Sequence, residues 1–407
     1  MRLMRVVGLV IMLVQGGGMA LAAPLLKAGD RLVFLGDSIT EQRIYTRYVM
    51  DYFALRYPGV AISFRNAGWG GDYAAGGLAR LSRDVLSVKP TAVSICYGMN
   101  DGGYRAFDQG YYDRSMAAMS GLVSELKKAG VMVVLLTPGC VDTDRNPALK
   151  GDKWTYNETL DKFGKGIKEL AAKEHLPFFD LHSLMLDVQT KAKTDSPHYT
   201  MIPDAVHPQP PGHAVMAYGL LKALGCDAPA SSLVIDAAKP AATPDRCRVM
   251  DLKVTNSVVS FTRTDEALPT YFDPEVSAVT NYFPLHEDLN QYRFQVTGLK
   301  AGNWKLTVEG LEVGTFTNTV LAAGVNLGPL PGPWQDLGKK VNGLATAQEN
   351  EYYVRWRQIA VVTVPKEAQN EQRALLYKLD SLLDDHEKER QQEAVGHPWK
   401  WVLGPAK

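Results

Sequence analysis

The chain has few cysteines and no excess of charge, and these two shortages remove several function classes at once. Four cysteines stand in 407 residues, at positions 96, 140, 226 and 247, with no CxxC pair among them. The eight histidines form no HxH or HExxH spacing, so the usual zinc ligand sets are missing and neither a metal nor another cofactor is expected. Basic and acidic residues balance at 44 against 44. A balanced chain lacks the basic face that neutralises phosphates, and nucleic acid is excluded as an expected partner. No internal repeat is present.

The first residues have a pattern of their own. Arg2 and Arg5 precede an apolar stretch from Val6 to Val14, followed by Gly16-Gly17-Gly18 and the small-x-small triplet Ala20-Leu21-Ala22. The apolar run is too short to span a bilayer, and the glycines would break a helix. The pattern predicts a secretory signal peptide over residues 1–22, cleaved after Ala22, and an exported bacterial protein, periplasmic or extracellular, with no stable membrane insertion afterwards. Export permits disulfides. Cys226 and Cys247 flank a Pro/Ala/Ser-rich stretch and are the pair expected to close a loop, whereas Cys96 and Cys140 end apolar runs and read as small buried hydrophobes.

From residue 31 to about 225, short apolar runs alternate with longer amphipathic segments. Strands are expected at Arg31 to Leu35, Val60 to Arg65, Thr91 to Cys96, Val131 to Leu136 and Leu176 to Phe179. Helices are expected at Tyr45 to Tyr57, Ala74 to Leu86, Tyr111 to Lys128 and Tyr156 to Lys173, with a last one following Pro211. This alternation predicts an α/β fold: a three-layer, flavodoxin-like doubly wound domain on a five-stranded parallel sheet, with its ligand site beyond the carboxyl ends of the strands.

A linker-like stretch runs from Asp227 to Pro244, and the expected domain spans residues 23–245. Beyond it, 246–407 reads as an accessory region with a β-hairpin part near 250–330 and a helical part near 335–395. Tyr292, Phe294 and Val296 alternate with polar residues, a Gly298 to Gly302 turn follows, and Trp304, Leu306 and Val308 alternate again, the pattern of a hairpin. Leu311 to Phe316 reads as a further strand, and Leu375, Leu379, Leu382 and Leu383 line one helix face.

Four segments of the first region carry chemistry. The first strand ends in Gly36-Asp37-Ser38-Ile39-Thr40-Glu41, placing Ser38 on a strand-to-helix turn. After the second strand comes Asn66-Ala67-Gly68-Trp69-Gly70-Gly71-Asp72, a glycine-rich turn whose Gly71 N–H can approach a reacting carbonyl oxygen. After the third strand Gly98-Met99-Asn100-Asp101 offers a side-chain amide at the same edge. Before the last helix stands Asp204-Ala205-Val206-His207-Pro208, where an aspartate three residues ahead of a histidine can accept from Nδ1 and leave Nε2 to act as a base. Singly, each has a plain structural reading: an N-cap, a helix-entry loop, a capped turn and a loop histidine. His213 lies inside the following helix and reads as packing or surface.

In this order the four segments resemble the blocks of the SGNH (GDSL) hydrolase superfamily, as GDSIT at 36–40, GWGGD at 68–72, GMND at 98–101 and DAVHP at 204–208. The resemblance covers roughly residues 30–225. It implies an esterase with Ser38 as nucleophile, His207 as base and Asp204 as its orienter. The oxyanion would be held by the Ser38 N–H, Gly71 and Asn100, Gly71 being taken as the donor over the adjacent Gly70.

The layout is similar to exported bacterial carbohydrate esterases of that group, which implies an acylated carbohydrate or another small ester as substrate. Trp69, Tyr73, Tyr97 and Tyr104 surround the blocks and read either as sugar-stacking rings or as core and rim packing. A lysophospholipase or short-chain aryl esterase is the enzymatic alternative, and a glycan-binding protein with a vestigial hydrolase lobe is the alternative of another class. In the accessory region Trp304, Trp334, Trp356, Trp399 and Trp401 read as core or as a sugar platform, and Arg355 and Arg357 face the site only if the tail folds back.

Overall fold

The computed structural model describes residues 24–406 apart from residue 228. The expected signal peptide lies outside these residues. Five strands form the first sheet: β1 (Arg31–Gly36), β2 (Ser63–Gly68), β3 (Ala92–Cys96), β4 (Met132–Leu136) and β5 (Phe178–Phe179). All pair in parallel in the order β2-β1-β3-β4-β5. Leu32 to Leu35 in β1 are buried, as the near-continuous apolar run of a central parallel strand requires. The second strand starts three residues later than the expected Val60, since the chain first turns at Gly59 (φ 82°).

The helices are α1 (Ser38–Glu41), α2 (Ile44–Arg56), α3 (Ala74–Asp84), α4 (Gln109–Lys128), α5 (Tyr156–Glu174), α6 (Leu181–Asp195) and α7 (Pro210–Ala223). Their starts have local causes. Asp108 caps α4, Thr155 and Glu158 form a capping box on α5, and Pro210 and Pro211 open α7. Helix α6 was not foreseen from the sequence; Asp180 caps it by accepting from the Ser183 N–H. Parallel strands carrying helical crossovers make a three-layer doubly wound α/β fold.

The remaining chain forms two further sheets and two long helices, α8 (Pro333–Tyr353) and α9 (Gln369–Glu393). The alternation from Tyr292 to Val308 is not a hairpin. Tyr292–Thr297 pairs in parallel with Ser231–Asp236 in a four-stranded sheet, while Asn303–Val308 lies in a five-stranded sheet between Leu311–Thr317 and Trp399–Pro405. The loop between them crosses from sheet to sheet, a choice that two-residue periodicity cannot specify. The Pro/Ala-rich stretch expected as a linker holds the paired strands Ser231–Asp236 and Ala241–Asp245.

The tryptophans are packed, and no platform forms: Trp304, Trp334, Trp399 and Trp401 belong to the core of these sheets, and Trp356 to the core beneath the first sheet. On α9, Leu383 is buried whereas Leu375 and Leu382 are exposed. All four cysteines are buried free thiols, so the expected Cys226–Cys247 bridge is not formed. Cys226 packs in the core of the first lobe, and Cys247 donates instead to the Ser232 carbonyl in the second.

The two parts share α2. Eleven of its thirteen residues are buried, because the first sheet covers one side and the C-terminal region the other. Thr46 donates to Glu349 (3.0 Å), Asn342 to Asp51 (2.5 Å), Arg390 to the Met50 carbonyl (2.9 Å) and Arg56 to the Leu289 carbonyl (2.7 Å). Among the described residues no helix is long and apolar enough to cross a membrane.

Candidate functional site

Ser38 is the first residue of α1, directly after the end of β1. Its neighbour Asp37 caps the helix by accepting from the Ile39 N–H (3.0 Å). The tightness of this turn depends on Gly68: a Cβ there would lie 2.3 Å from the Glu41 nitrogen. The Trp69 N–H then bonds the Gly36 carbonyl (3.0 Å), holding the exit of β2 against that of β1.

The Ser38 Oγ lies 2.8 Å from His207 Nε2, and His207 Nδ1 lies 2.7 Å from Asp204 Oδ2. Asp204 Oδ1 accepts the backbone N–H of Val206 (3.0 Å) and of His207 (2.7 Å). Ala205 is held at φ 77°, which folds Asp204 back beneath the imidazole. Burial works against ionisation of Asp204, but the hydrogen bonds from His207 and Val206 outweigh it and hold the carboxyl below its ordinary range. The loop is anchored from outside by Gln42, whose amide donates to the Pro208 carbonyl (3.2 Å) and whose Oε1 lies 3.1 Å from His213 Nε2. His213 is fully buried, and burial, aided by the positive Arg47, pushes it down to about 3; it packs as a neutral ring against Tyr45.

Across the sheet ends, Asn100 Nδ2 donates to the Asp72 carbonyl (2.7 Å) and Tyr104 donates to Asn100 Oδ1 (2.7 Å). The phenol therefore fixes which end of the amide faces which way, and leaves the second N–H of Nδ2 for a ligand. The Asp72 N–H closes the turn on Trp69 (3.0 Å). Gly71, within this turn, is exposed at φ +73° with nothing near its absent Cβ. Gly70 differs: a Cβ there would meet the Glu41 carboxylate at 2.8 Å.

Of the four aromatic residues expected near substrate, Tyr73 is 52% exposed, and Tyr104 is half-buried, stacked on Tyr156. Tyr97 is buried, its hydroxyl donating to Asp72 (2.8 Å), so it cannot touch a ligand. Trp69 is covered by the Arg357 guanidinium, 3.5 Å from the ring centroid, and by the edge of Trp356. Its stacking face is taken.

Several residues with no role in the sequence reading support the site. Arg80 of α3 donates to Asp72 (2.8 Å), to the Ala67 carbonyl (2.8 Å), to the Tyr97 hydroxyl (2.9 Å) and to the Gly36 carbonyl (3.3 Å), tying together the ends of three strands. A charged residue beside the buried Ala74, Gly77, Leu81 and Asp84 of α3 was its signal. Asp101 accepts from the Ala74 N–H (3.1 Å), Ser115 (2.7 Å) and the Gly98 N–H (3.0 Å). Burial, reinforced by the charges of Asp101 and Asp72, pushes Asp37 up to about 7. From the C-terminal region Arg357 pairs with Glu41 (3.2 Å), while Arg355 turns away to Asp380.

Residues 34–215 match the profile of the GDSL-like lipase/acylhydrolase family. The match covers the lobe that carries the site and supports its assignment to the SGNH (GDSL) hydrolase superfamily. The chain is accordingly a carboxylic ester hydrolase. An acetylxylan esterase of Geobacillus stearothermophilus is 28% identical over 220 residues, 49% of this chain and 95% of that relative. A solved acetylxylan esterase structure from the same organism aligns with 49% of this chain and 96% of its own at 26% identity and a TM-score of 0.41. A gut microbial diltiazem-metabolizing enzyme aligns over 94% of this chain and 98% of its own, with a TM-score of 0.79 and 24% identity. That likeness is one of fold, and it extends over both parts of this chain.

Proposed function

We propose that this esterase removes acetyl or other short acyl groups from carbohydrates through an acyl-enzyme on Ser38. The observation that carries the mechanism is the continuous chain Ser38 Oγ, His207 Nε2, His207 Nδ1, Asp204 Oδ2, with steps of 2.8 and 2.7 Å. His207 takes the Ser38 proton as Oγ bonds to the ester carbonyl carbon. The oxyanion is held by the N–H groups of Ser38 and Gly71 and by Asn100 Nδ2. As the C–O bond to the sugar breaks, His207 returns the proton to the leaving hydroxyl. Water then gives a proton to the same imidazole and attacks the acyl-enzyme carbonyl; as the bond from the acyl carbon to Ser38 Oγ breaks, His207 returns that proton to Oγ, and the acid leaves. The ionised Asp204 stabilises the imidazolium formed in each half.

The substrate class is supported by the acetylxylan esterase relative, which is matched over nearly its whole length, and by the export expected from residues 1–22. Labelling with a fluorophosphonate and acetate release from a panel of acetylated glycans test the reading. Wild type is expected to be labelled at Ser38 and to release acetate, and Ser38→Ala to do neither while keeping its fold. Turnover undiminished in purified Ser38→Ala would end the mechanism, and cleavage of lysophospholipids in preference to every acetylated glycan would end the substrate class.

A further inference from the structure

We infer that the cavity beside Asn100 binds a carboxylate on the saccharide portion of the substrate, so that the preferred ester is an acylated sugar neighbouring a uronic acid. This rests on the esterase reading above and names its substrate more closely. The cavity, about 320 Å³, lies between the starts of α3 and α4 and is lined by Tyr73, Asn100, Asp101, Tyr111, Arg114 and Ser115. Its size falls within the range of small-molecule sites, about 300–1,000 Å³, and far exceeds what a two-carbon acyl group fills. Asn100, the proposed oxyanion donor, forms part of its wall, so the cavity adjoins the proposed oxyanion site on one side.

The charges around the cavity are not symmetric in what they have left to offer. Tyr111 holds two guanidiniums against its ring, Arg114 at 4.6 Å and Arg105 at 5.0 Å from the centroid. Among the described residues neither arginine forms an ion pair; both are held by the ring. The nearby acids are engaged by neutral donors. Asp101 accepts from Ala74, Gly98 and Ser115, Asp108 from the Tyr111 N–H (3.0 Å), and Asp113 from Gln109 (2.8 Å). The N–H groups that remain free are those of the two guanidiniums, whose planar forks match a carboxylate; Arg114 lines the cavity and Arg105 stands behind it on the same tyrosine ring. Tyr73, which is exposed, and Tyr111 both line the cavity and supply apolar surface for a sugar ring.

A carboxylate could instead sit on the acyl side, as in a succinyl half-ester. The ring surfaces and the volume favour the saccharide. The test compares kcat/KM of wild type, Arg114→Gln and the Arg105→Gln/Arg114→Gln pair on four esters: acetylated xylooligosaccharides with and without a glucuronic acid branch, a succinylated neutral xylooligosaccharide, and p-nitrophenyl acetate. Wild type is expected to prefer the uronate-bearing saccharide. The ratio of uronate-bearing to neutral kcat/KM should fall about tenfold in Arg114→Gln, as expected for one charge-assisted hydrogen bond. The preference should also shrink with added salt. A wild type that cleaves p-nitrophenyl acetate but shows equal or greater kcat/KM on the neutral saccharide overturns this inference alone, as does an unchanged ratio in the double variant. A preference for the succinyl ester would place the anion on the acyl side and overturn the uronate assignment. A wild type inert on all four esters overturns the esterase reading together with this one.

Discussion

Each part of the molecule is built around a buried arginine, and the two arginines serve different ends. Arg263 is fully buried in the C-terminal region. It pairs with Asp265 (2.7 Å), donates to Ser231 (2.8 Å) and stacks on Tyr292 (4.3 Å) and Trp401 (5.1 Å). These partners come from both sheets, so its hydrogen bonds hold one sheet to the other. Arg80 has an equally full set of partners, but two are strand-end carbonyls and one is the aspartate beside Gly71. The same group that locks a core in one region aligns a reacting edge in the other.

The comparison predicts a crossed result. Arg263→Met leaves Asp265 buried without its counter-charge, which costs about 3–5 kcal/mol; chemical denaturation should register that loss, while kcat per folded molecule stays near wild type. Arg80→Met should show the reverse emphasis. The strand ends it ties need shift by only about 1 Å for kcat to fall by about a hundredfold, with a smaller loss of stability because the site end is closer to water. If the Arg80 variant loses stability without losing kcat, the distinction between the two arginines collapses.

The seam between the regions carries its own signature in pH. Burial pushes Glu349 up to about 8, and likewise Asp51 to about 7. Below the ordinary carboxylate range both folded and unfolded chains are protonated. Between there and pH 8 the unfolded chain is ionised while native Glu349 keeps its proton, so stability falls as pH rises, by up to about 1.4 kcal/mol per unit for one such proton. Above pH 8 its contribution levels off. Glu349→Gln keeps a side chain able to bond Thr46 and removes this share, so the fall in denaturation free energy between pH 7 and 8 should become shallower. An unaltered slope would mean that Glu349 is ionised in the native seam.

Much of the first lobe was legible because its information is local. Each block sits where an apolar run stops, and the doubly wound fold puts those stops on one edge. The seam was legible in principle as well: Tyr45, Tyr48, Val49, Met50, Tyr52, Phe53 and Leu55 spread apolar residues around α2 with only Thr46, Arg47, Asp51 and Arg56 between them, and a helix so largely apolar must be covered on more than one side. What the sequence could not specify was partnership. Alternation gives Tyr292, Phe294 and Val296 an inner face without saying which sheet they enter, and the aromatic character of Tyr97 gives no hint that its hydroxyl is spent on Asp72. Two cysteines flanking a small-residue stretch read as a pair until that stretch proves to be strands separating two cores.

The smallest expected effect is the most direct test of whether the regions work as one. Arg357 sits on the π-helical turn Val354–Ala360, reaching from the C-terminal region to Glu41 on α1 and to the face of Trp69, the residue before Gly70-Gly71. The Glu41 carboxylate in turn lies where a Gly70 side chain would be. Arg357 therefore braces both the serine helix and the glycine turn, as a positioning residue. Arg357→Ala should lower kcat about fivefold, the equivalent of roughly 1 kcal/mol from a partly screened ion pair and a cation–π contact, with KM little changed. Arg357→Lys keeps the charge but not the planar stack and should recover only part. If the ion pair transmits the effect, Glu41→Gln combined with Arg357→Ala should be less damaging than the sum of the single changes. Strict additivity, or a loss confined to stability, would make the C-terminal region a cover over the hydrolase rather than a wall of its site.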